Sequence, residues 1–265
     1  MDLERYLPRE SPLHRADPRL KFLASVAAIL AIALLPFGAY AALVLAWAGI
    51  VLASLWARVG ALRTARGGLI AAPFALAALP LIFTRPEDPL GTITLGPLVL
   101  TISGEGLRMF STILLKSWLS VQVALLLAFS TPFHELIDAL RELRLPRVMV
   151  AIISFMYRYL GVLAGEAGRM NRARAARSAA APDGRTGGGL RWRAAVTGGM
   201  VGSLFVRSYE RSERVYSAMQ ARGFEAEFRH MAMRRLQTGE LLAFALFLLL
   251  LVAFVAAGQL ILPRL

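Results

Sequence analysis

Residues 22–57 read FLASVAAILAIALLPFGAYAALVLAWAGIVLASLWA and contain no charged side chain. One transmembrane helix needs about 20 apolar residues, so this stretch is too long to be a single span. Pro36-Phe37-Gly38 lies near its middle, where proline and glycine favour a turn. The stretch therefore predicts two short membrane-spanning helices joined by a tight turn.

Three further apolar runs complete the predicted membrane region, at residues 68–84, about 109–130 and 240–262. Pro73 and Pro80 interrupt the first of these runs. Lys116 lies near the predicted start of the second run, where a long side chain can reach the membrane interface. Residues 85–106 alternate in polarity around Gly96-Pro97, which is typical of a small hairpin. The pattern predicts an all-α, polytopic membrane protein with about five transmembrane helices.

The overall composition supports a membrane protein. Hydrophobic residues make up 57% of the 265 residues, whereas about 45–50% is usual for a soluble domain. The formal charge is +13, and arginine supplies most of it because Lys21 and Lys116 are the only lysines. A basic soluble protein would suggest a nucleic-acid partner. Here the basic residues lie between apolar runs, so lipid is the expected partner and nucleic acid is not. The absence of cysteine excludes disulfides and thiolate metal sites.

The arginines indicate which side of the membrane each loop faces. The N-terminal tail, the 58–66 loop and residues 131–238 are basic, and basic loops mark the cytoplasmic side. With the N-terminus inside, five spans leave the C-terminus outside. The predicted organisation is a cytoplasmic segment at 1–21, transmembrane helices 1–4 at 22–130 with an external loop at 85–106, a cytoplasmic domain at 131–238 and a C-terminal transmembrane helix at 239–265.

Residues 148–163 could change this count, because they are apolar enough to suggest a sixth span. That span would place the basic block outside, and Arg158 in its middle would cost a few kcal/mol to insert. Apolar residues also recur every three or four positions, as in an amphipathic helix. This stripe is Ile152, Met156, Tyr159, Leu163, Ala167 and Met170. We therefore predict a helix that lies on or under the membrane.

The cytoplasmic domain is predicted to contain two long helices, about 146–178 and about 203–222, on either side of a glycine-rich break. Gly223 suits the residue after the second helix, because glycine accepts the left-handed conformation. The apolar stripes are expected to pack these helices. Their main residues are Met156, Tyr159, Leu163 and Met170 on the first helix and Phe205, Tyr209, Tyr216 and Met219 on the second.

Both helices end in similar motifs, Ala176-Arg177-Ser178 and Ala221-Arg222-Gly223. An arginine in the last turn complements the helix dipole, so each could be a simple cap. A long side chain at a helix tip can also enter a groove on a partner and pair bidentately with a carboxylate. The residues alone leave both interpretations open.

Two such motifs at paired helix ends resemble the T component of energy-coupling-factor (ECF) transporters. The segments Met156-Tyr157-Arg158-Tyr159-Leu160 and Arg207-Ser208-Tyr209-Glu210-Arg211 are similar to the cobalt-type, CbiQ-like branch of that family. Ser178 stands where the family typically has glycine. The resemblance implies a transmembrane energy-coupling subunit of a cobalt importer, in which residues 131–238 form a coupling domain of long amphipathic helices.

The resemblance also implies the partners of the chain. Two cytoplasmic ATP-binding-cassette (ABC) ATPases would bind ATP and magnesium, and each would receive one of the two signature arginines. A separate membrane substrate-binding (S) subunit would capture the metal ion. The chain itself would be non-catalytic and would bind no cofactor or metal. It would lie in a bacterial plasma (inner) membrane with its N-terminus and coupling domain in the cytoplasm.

The residues agree with this division of labour. The sequence contains no Gly-x-x-x-x-Gly-Lys-Ser/Thr motif, so it has no P-loop for ATP. Its three histidines, His14, His134 and His230, are far apart, whereas a transition-metal site needs several converging ligands.

Other functions stay open at this stage. The same subunit could serve a nickel or vitamin importer, and the arginine block could bind anionic lipid headgroups. A secondary transporter normally has ionisable groups inside its spans, whereas residues 22–57, 68–84 and 241–262 have none. For a membrane enzyme, the candidate acids Glu166, Glu210 and Glu213 lie on arginine-rich helix faces, without a nucleophile–base pair.

Overall fold

The computed structural model describes residues 6–84, 89–95, 98–177, 189–224 and 236–260. In chain order the elements are α1 Pro12–Arg15, α2 Pro18–Leu34, α3 Tyr40–Trp56, α4 Ala61–Gly67, a 3₁₀ turn Gly68–Ala71, α5 Ala72–Ala78, α6 Leu81–Thr84, β1 Pro89–Leu95, β2 Leu98–Ser103, α7 Gly104–Ser130, α8 Phe133–Glu142, α9 Arg147–Arg177, α10 Leu190–Ala221 and α11 Thr238–Leu260. The chain forms two compact units. One, the membrane unit, comprises Glu4–Ala139 and Met233–Leu265, and the other, the long-helix unit, comprises Leu140–Ala232.

Residues 22–57 form most of α2 and all of α3, two helices of 17 residues each that are joined by the predicted turn. Helix α2 begins before this stretch, at Pro18, and includes Arg19 and Lys21. Asp17 begins α2 by accepting a hydrogen bond from the Arg19 amide at 2.9 Å, and Pro18 occupies the first turn. Gly38 makes the turn between the helices with a positive φ of 86°, a conformation that glycine adopts without strain. Its amide donates to the Thr112 hydroxyl on α7 at 3.1 Å, so the turn is tied to the helix beside it.

The long helix α7 begins at Gly104, five residues before the predicted start at 109. Ser103 caps it by accepting a hydrogen bond from the Gly106 amide at 3.3 Å. Lys116 is therefore 12 residues from the start of the helix, so its predicted place near the start is wrong, whereas its reach to the membrane interface stays a prediction. Its ammonium donates to the carbonyls of Ala33 (3.0 Å) and Leu35 at the end of α2.

The only other lysine makes the reciprocal contact. Lys21 is buried near the start of α2, and its ammonium donates to the Ser130 carbonyl at the end of α7 at 3.3 Å. It also donates to the His14 carbonyl at 3.4 Å. The last carbonyls of a helix have no partner within the helix and carry partial negative charge. Each of these two antiparallel helices thus supplies a cation to the C-terminal end of the other.

Helix α7 is the central element of the membrane unit and contacts α2, α3, α4, α5 and α6. The largest group of buried apolar residues in this unit is Ile32, Leu35, Leu43, Ile50, Leu119 and Val123. Glycines allow close approach around it. A Cβ on Gly258 of α11 would lie 2.7 Å from the Leu35 side chain, and one on Gly68 would lie 2.7 Å from the Trp118 ring. Small residues of this kind are common where helices pack in lipid.

The region between α3 and α7 is irregular, as the prolines predict. Pro73 lies in the first turn of α5, and Pro80 separates α5 from α6. The predicted hairpin is also confirmed: β1 and β2 pair antiparallel, with Leu95 opposite Leu98.

Four helical segments in the described part of the chain are long and apolar enough to cross a membrane: Ala61–Phe83, Gly104–Ser130, Arg147–Arg177 and Thr238–Leu260. Tyr40–Trp56 is a shorter apolar helix. The protein is therefore an α-helical, multi-pass membrane protein. Because α9 is among the four, its predicted position on or under the membrane stays a prediction, as does the count of five spans.

The long helices of the second unit differ from the prediction in one boundary. Helix α9 has nearly the predicted limits, whereas α10 begins at Leu190 and not near residue 203. Gly198, Gly199 and Gly202 explain the difference. Glycine lowers helix stability by about 1 kcal/mol relative to alanine, so the segment resembles a break although it is helical.

The lysine contacts give a first prediction. We expect Lys116→Met to destabilise the membrane unit by about 1–3 kcal/mol, because the carbonyls at the end of α2 lose their hydrogen bonds to a charged donor. Thermal unfolding of the purified protein in detergent measures this loss. Leu107→Met, at an exposed position of the same helix, is the control and should leave the transition unchanged. An unchanged transition for Lys116→Met would contradict the assigned role.

Candidate functional site

The first arginine motif lies at the end of α9. Arg177 is the last residue of the helix, and both Ala176 and Arg177 are exposed. Ser178, the third residue of the motif, lies outside the described residues. Arg177 is therefore exposed at the last described residue of α9, and its predicted role stays a prediction.

The second motif forms a defined turn at the end of α10. Gly223 has a positive φ of 73°, and its amide donates to the Gln220 carbonyl at 2.9 Å. The Phe224 amide donates to the Met219 carbonyl at 3.1 Å. These two bonds make a Schellman motif, in which a left-handed residue closes the last helical turn. The left-handed conformation predicted for Gly223 is confirmed, and Arg222 is exposed at the cap position just before it.

An ion pair links α9 to α10. Glu166 on α9 uses both carboxylate oxygens: one accepts from Arg169 one turn along the same helix, and the other accepts from Arg207 on α10 at 3.3 Å. The Glu166 side chain is only 17% exposed, whereas that of Arg207 is 63% exposed. The sequence predicted that Glu166 would form surface ion pairs, and the structure adds the partner on the other helix.

The environment of Glu166 keeps it charged. This residue follows the apolar part of α9, in a half of the helix that also carries Arg169, Arg172, Arg174 and Arg177. Both of its carboxylate oxygens accept hydrogen bonds from guanidinium groups, and such bonds favour the charged form. We therefore expect the ion pair to be present at neutral pH.

A second contact between the two helices is aromatic. The rings of Phe155 on α9 and Phe224, which directly follows the second motif, meet edge to face with centroids 6.3 Å apart. The sequence pattern predicts no role for either residue. Phe224 carried a usable signal, because the residue after the left-handed glycine of a Schellman motif often makes an apolar contact. Phe155 had no such signal in the sequence, because it does not belong to the predicted apolar stripe of α9.

The two contacts show how α9 and α10 are oriented. Glu166 pairs with Arg207, whereas the earlier α9 residue Phe155 meets the later residue Phe224, so the helices run in opposite directions. The end of α10 that carries Arg222 therefore lies beside Phe155. Phe155 is 22 positions before Arg177 on α9. At 1.5 Å per residue this is about 33 Å along the helix axis. The two signature arginines lie at opposite ends of the helix pair, too far apart to enter one binding site.

The predicted packing residues differ in their burial. Tyr159, Leu163 and Met170 of α9 and Met219 of α10 are half-buried, whereas Met156, Phe205, Tyr209 and Tyr216 are exposed. None of the described residues of α10 is buried. The aromatic side of α10 is thus largely uncovered by this chain, and its packing role stays a prediction.

The described residues bring no group of three or more histidine, aspartate or glutamate side chains close enough to hold a metal ion. Of the three histidines, His14 bonds through its ring to the Ser11 hydroxyl at 2.7 Å and to the Leu7 carbonyl at 3.1 Å within the N-terminal segment. His230 lies outside the described residues.

Comparison with known proteins gives relatives in cobalt transport. The cobalt transport protein CbiQ of Rhodobacter capsulatus is 28% identical over 187 residues, which are 71% of this chain and 73% of the relative. An uncharacterized protein of Methanocaldococcus jannaschii is 28% identical over 178 residues, 66% of this chain and 58% of the relative. A putative fused cobalt transport protein CbiMQ of Methanocorpusculum labreanum is 26% identical over 221 residues, 81% of this chain and 35% of the relative. The last two matches span less than two thirds of those relatives.

A family model described as cobalt transport protein, CbiQ, matches residues 9–233. The matched region includes the membrane helices α2 to α7 as well as α9 and α10 with both arginine motifs. Because the match covers most of the chain and both structural units, this protein belongs to the CbiQ family of cobalt transport proteins.

Proposed function

We propose that this chain is the transmembrane energy-coupling subunit of an ECF-type ABC importer for cobalt ions. The observation that carries the proposal is the placement of Arg177 and Arg222 at opposite ends of the α9–α10 pair. In this proposal each arginine docks into one of two cytoplasmic ATPases. The planar guanidinium suits this task, because it can form two parallel hydrogen bonds with a carboxylate in a partner groove.

The spacing of the two tips favours two docking sites over one. A separation of about 33 Å along α9 is larger than a single side-chain pocket but comparable with the width of a small protein domain. When ATP draws two ATPases together, their docking sites move relative to each other. Helices α9 and α10 would then turn about their crossing and transmit that motion to the substrate-binding membrane subunit.

The exposed aromatic side of α10 is the proposed contact for that membrane subunit. Phe205, Tyr209 and Tyr216 are 69%, 60% and 56% exposed, which is more apolar surface than a helix usually leaves in water. One relative is described as a fused cobalt transport protein. A fusion of this kind joins two proteins in one chain. It therefore supports a partner subunit that is present in the same number of copies as this chain.

The proposal assigns the chemistry to partner chains. The sequence has no P-loop, so ATP and magnesium would be bound by the ATPases and the chain would be non-catalytic. The transported ion would be held by the substrate-binding subunit, with no cofactor on this chain. Cobalt is favoured over nickel or a vitamin because the family and two relatives are described as cobalt transport proteins.

A secondary transporter is less well supported. Such a protein needs ionisable groups available inside its spans. The candidate within α7 is Lys116, and its ammonium is bonded to the carbonyls at the end of α2. These hydrogen bonds explain the presence of Lys116 in the helix without a role in transport.

For location, we propose the plasma (inner) membrane, with the N-terminus and the long-helix unit in the cytoplasm. The arginines of α9 and α10 support this orientation because basic segments stay on the cytoplasmic side.

Charge reversal tests the docking role of the arginines. We expect Arg177→Glu with Arg222→Glu to reach the membrane at normal levels, while the amount of co-purified ATPase falls roughly tenfold or more, because each lost charge pair typically costs 2–5 kcal/mol. The matched control, Arg174→Glu with Arg214→Glu, changes exposed arginines one or two turns from the tips and should keep the complex intact. Recovery of intact complex from the first double variant would contradict the proposal.

Ligand binding to the isolated chain tests the division of labour. We expect the purified subunit to hydrolyse no ATP and to give no heat of binding with cobalt at micromolar concentrations in calorimetry, since the chain has neither a P-loop nor converging ligands. Heat release that fits a tight cobalt site would overturn this part of the proposal.

A reporter fused to the C-terminus tests the topology. With a cytoplasmic N-terminus and five spans, a reporter that is active only outside the cytoplasm should be active there. Activity of a cytoplasmic reporter at the same position would mean an even number of spans, with α9 as the first candidate for the additional one.

A further inference from the structure

The crossing of α9 and α10 is not fixed by a hydrophobic core. None of the described residues of α10 is buried, although the helix is 32 residues long. Its apolar residues Met200, Leu204, Val215 and Met219 are half-buried. A regular apolar stripe of this kind is compatible with more than one crossing angle, so specific contacts are needed to select the angle that sets the distance between Arg177 and Arg222.

Glu166 and Arg207 provide the first fixed point. Arg169 holds the Glu166 carboxylate from one turn along the same helix, which leaves the second oxygen directed at Arg207 on α10. The glutamate is mostly covered and accepts from both arginines, so its rotamer is restrained before the helices meet. This makes the pair more specific than an isolated surface ion pair.

Phe155 and Phe224 provide the second fixed point. Phe155 lies 11 positions before Glu166 on α9, which is about 17 Å along the helix axis. On the other chain segment, Phe224 stands two residues after Arg222 and is held there by the left-handed turn at Gly223. A contact at this distance from the ion pair prevents rotation of α10 about it, and it lies directly beside the second tip.

We infer that the Glu166–Arg207 ion pair and the Phe155–Phe224 contact act together as positioning residues that set the separation of Arg177 and Arg222. The inference rests on the proposed coupling function, and its evidence is the geometry of these two contacts. Arg207 is largely exposed, so salt screens the pair and the link can open at low cost. The crossing is therefore defined in the resting chain yet able to change when the ATPases pull on the two tips.

Distance measurement between two spin labels tests the inference on the full-length chain. The protein has no cysteine, so Ala173→Cys and Ala218→Cys, both at exposed positions near the tips, give a single labelled pair. We expect one main distance by pulsed electron paramagnetic resonance. Arg207→Glu should raise the population outside the main peak about fivefold, the effect of losing one modest contact. Phe224→Ala should do the same.

Control variants separate the pairing from general damage. The exchange Glu166→Arg with Arg207→Glu should return part of the population to the main peak. Opposite charges are again paired across the helices, but Arg169 then lies beside a second arginine and no longer holds the partner on α9. Arg214→Glu, an exposed arginine two turns further along α10, should leave the distribution unchanged. Unchanged distances in Arg207→Glu and Phe224→Ala, or an exchange that restores nothing, would overturn the inference.

The two proposals fail in different ways. Capture of the ATPases by the same unlabelled variants is measured separately. If the distances respond as expected while the native chain binds no ATPase, the proposed function is overturned and the positioning role stands. If the native chain binds both ATPases while the distances do not respond, the positioning role alone is overturned.

Discussion

Hydrocarbon offers no hydrogen-bonding partner to a peptide group, so each helix end near the membrane has to be satisfied by the protein itself. In this chain the two lysines meet that requirement for α2 and α7. Lys116 donates to the last carbonyls of α2, and Lys21 donates to the last carbonyl of α7. Two cations, one on each partner, therefore stabilise the antiparallel pairing of these helices together with their shared apolar core. Helices α3 to α6 pack against α7, and α11 packs against α2.

Much of this architecture follows from local sequence. The turn at Pro36-Phe37-Gly38, the hairpin and the glycine at the end of α10 were all predictable, because each depends on residues that are close together along the chain. The lysine contacts were not, since Lys116 lies more than 80 residues from the carbonyls it binds. The same holds for Glu166 and Arg207, which are 41 residues apart. Helix α10 was predicted too short because intrinsic propensity penalises its three glycines, while the rest of the helix tolerates them.

The two units differ in how many of their residues are buried. The membrane unit has a buried apolar core, whereas α10 in the long-helix unit has no buried residue in the described part of the chain. A long helix is stiff by virtue of its own hydrogen bonds, so it can transmit displacement over tens of ångströms without a core. Contacts at a few points then determine where it turns. This combination suits an element that carries motion between partners better than one that encloses a substrate.

The structure also bears on whether the second signature arginine is merely a helix cap. The carbonyls of Met219 and Gln220 at the end of α10 already accept hydrogen bonds from the amides of Phe224 and Gly223. A capping guanidinium would add only the favourable interaction with the helix dipole, about 0.3–1 kcal/mol at an exposed site. Arginine differs from lysine in its rigid, planar set of donors, which matters for recognition of a carboxylate and little for a dipole. The backbone turn therefore does the capping, and the side chain is available for a partner.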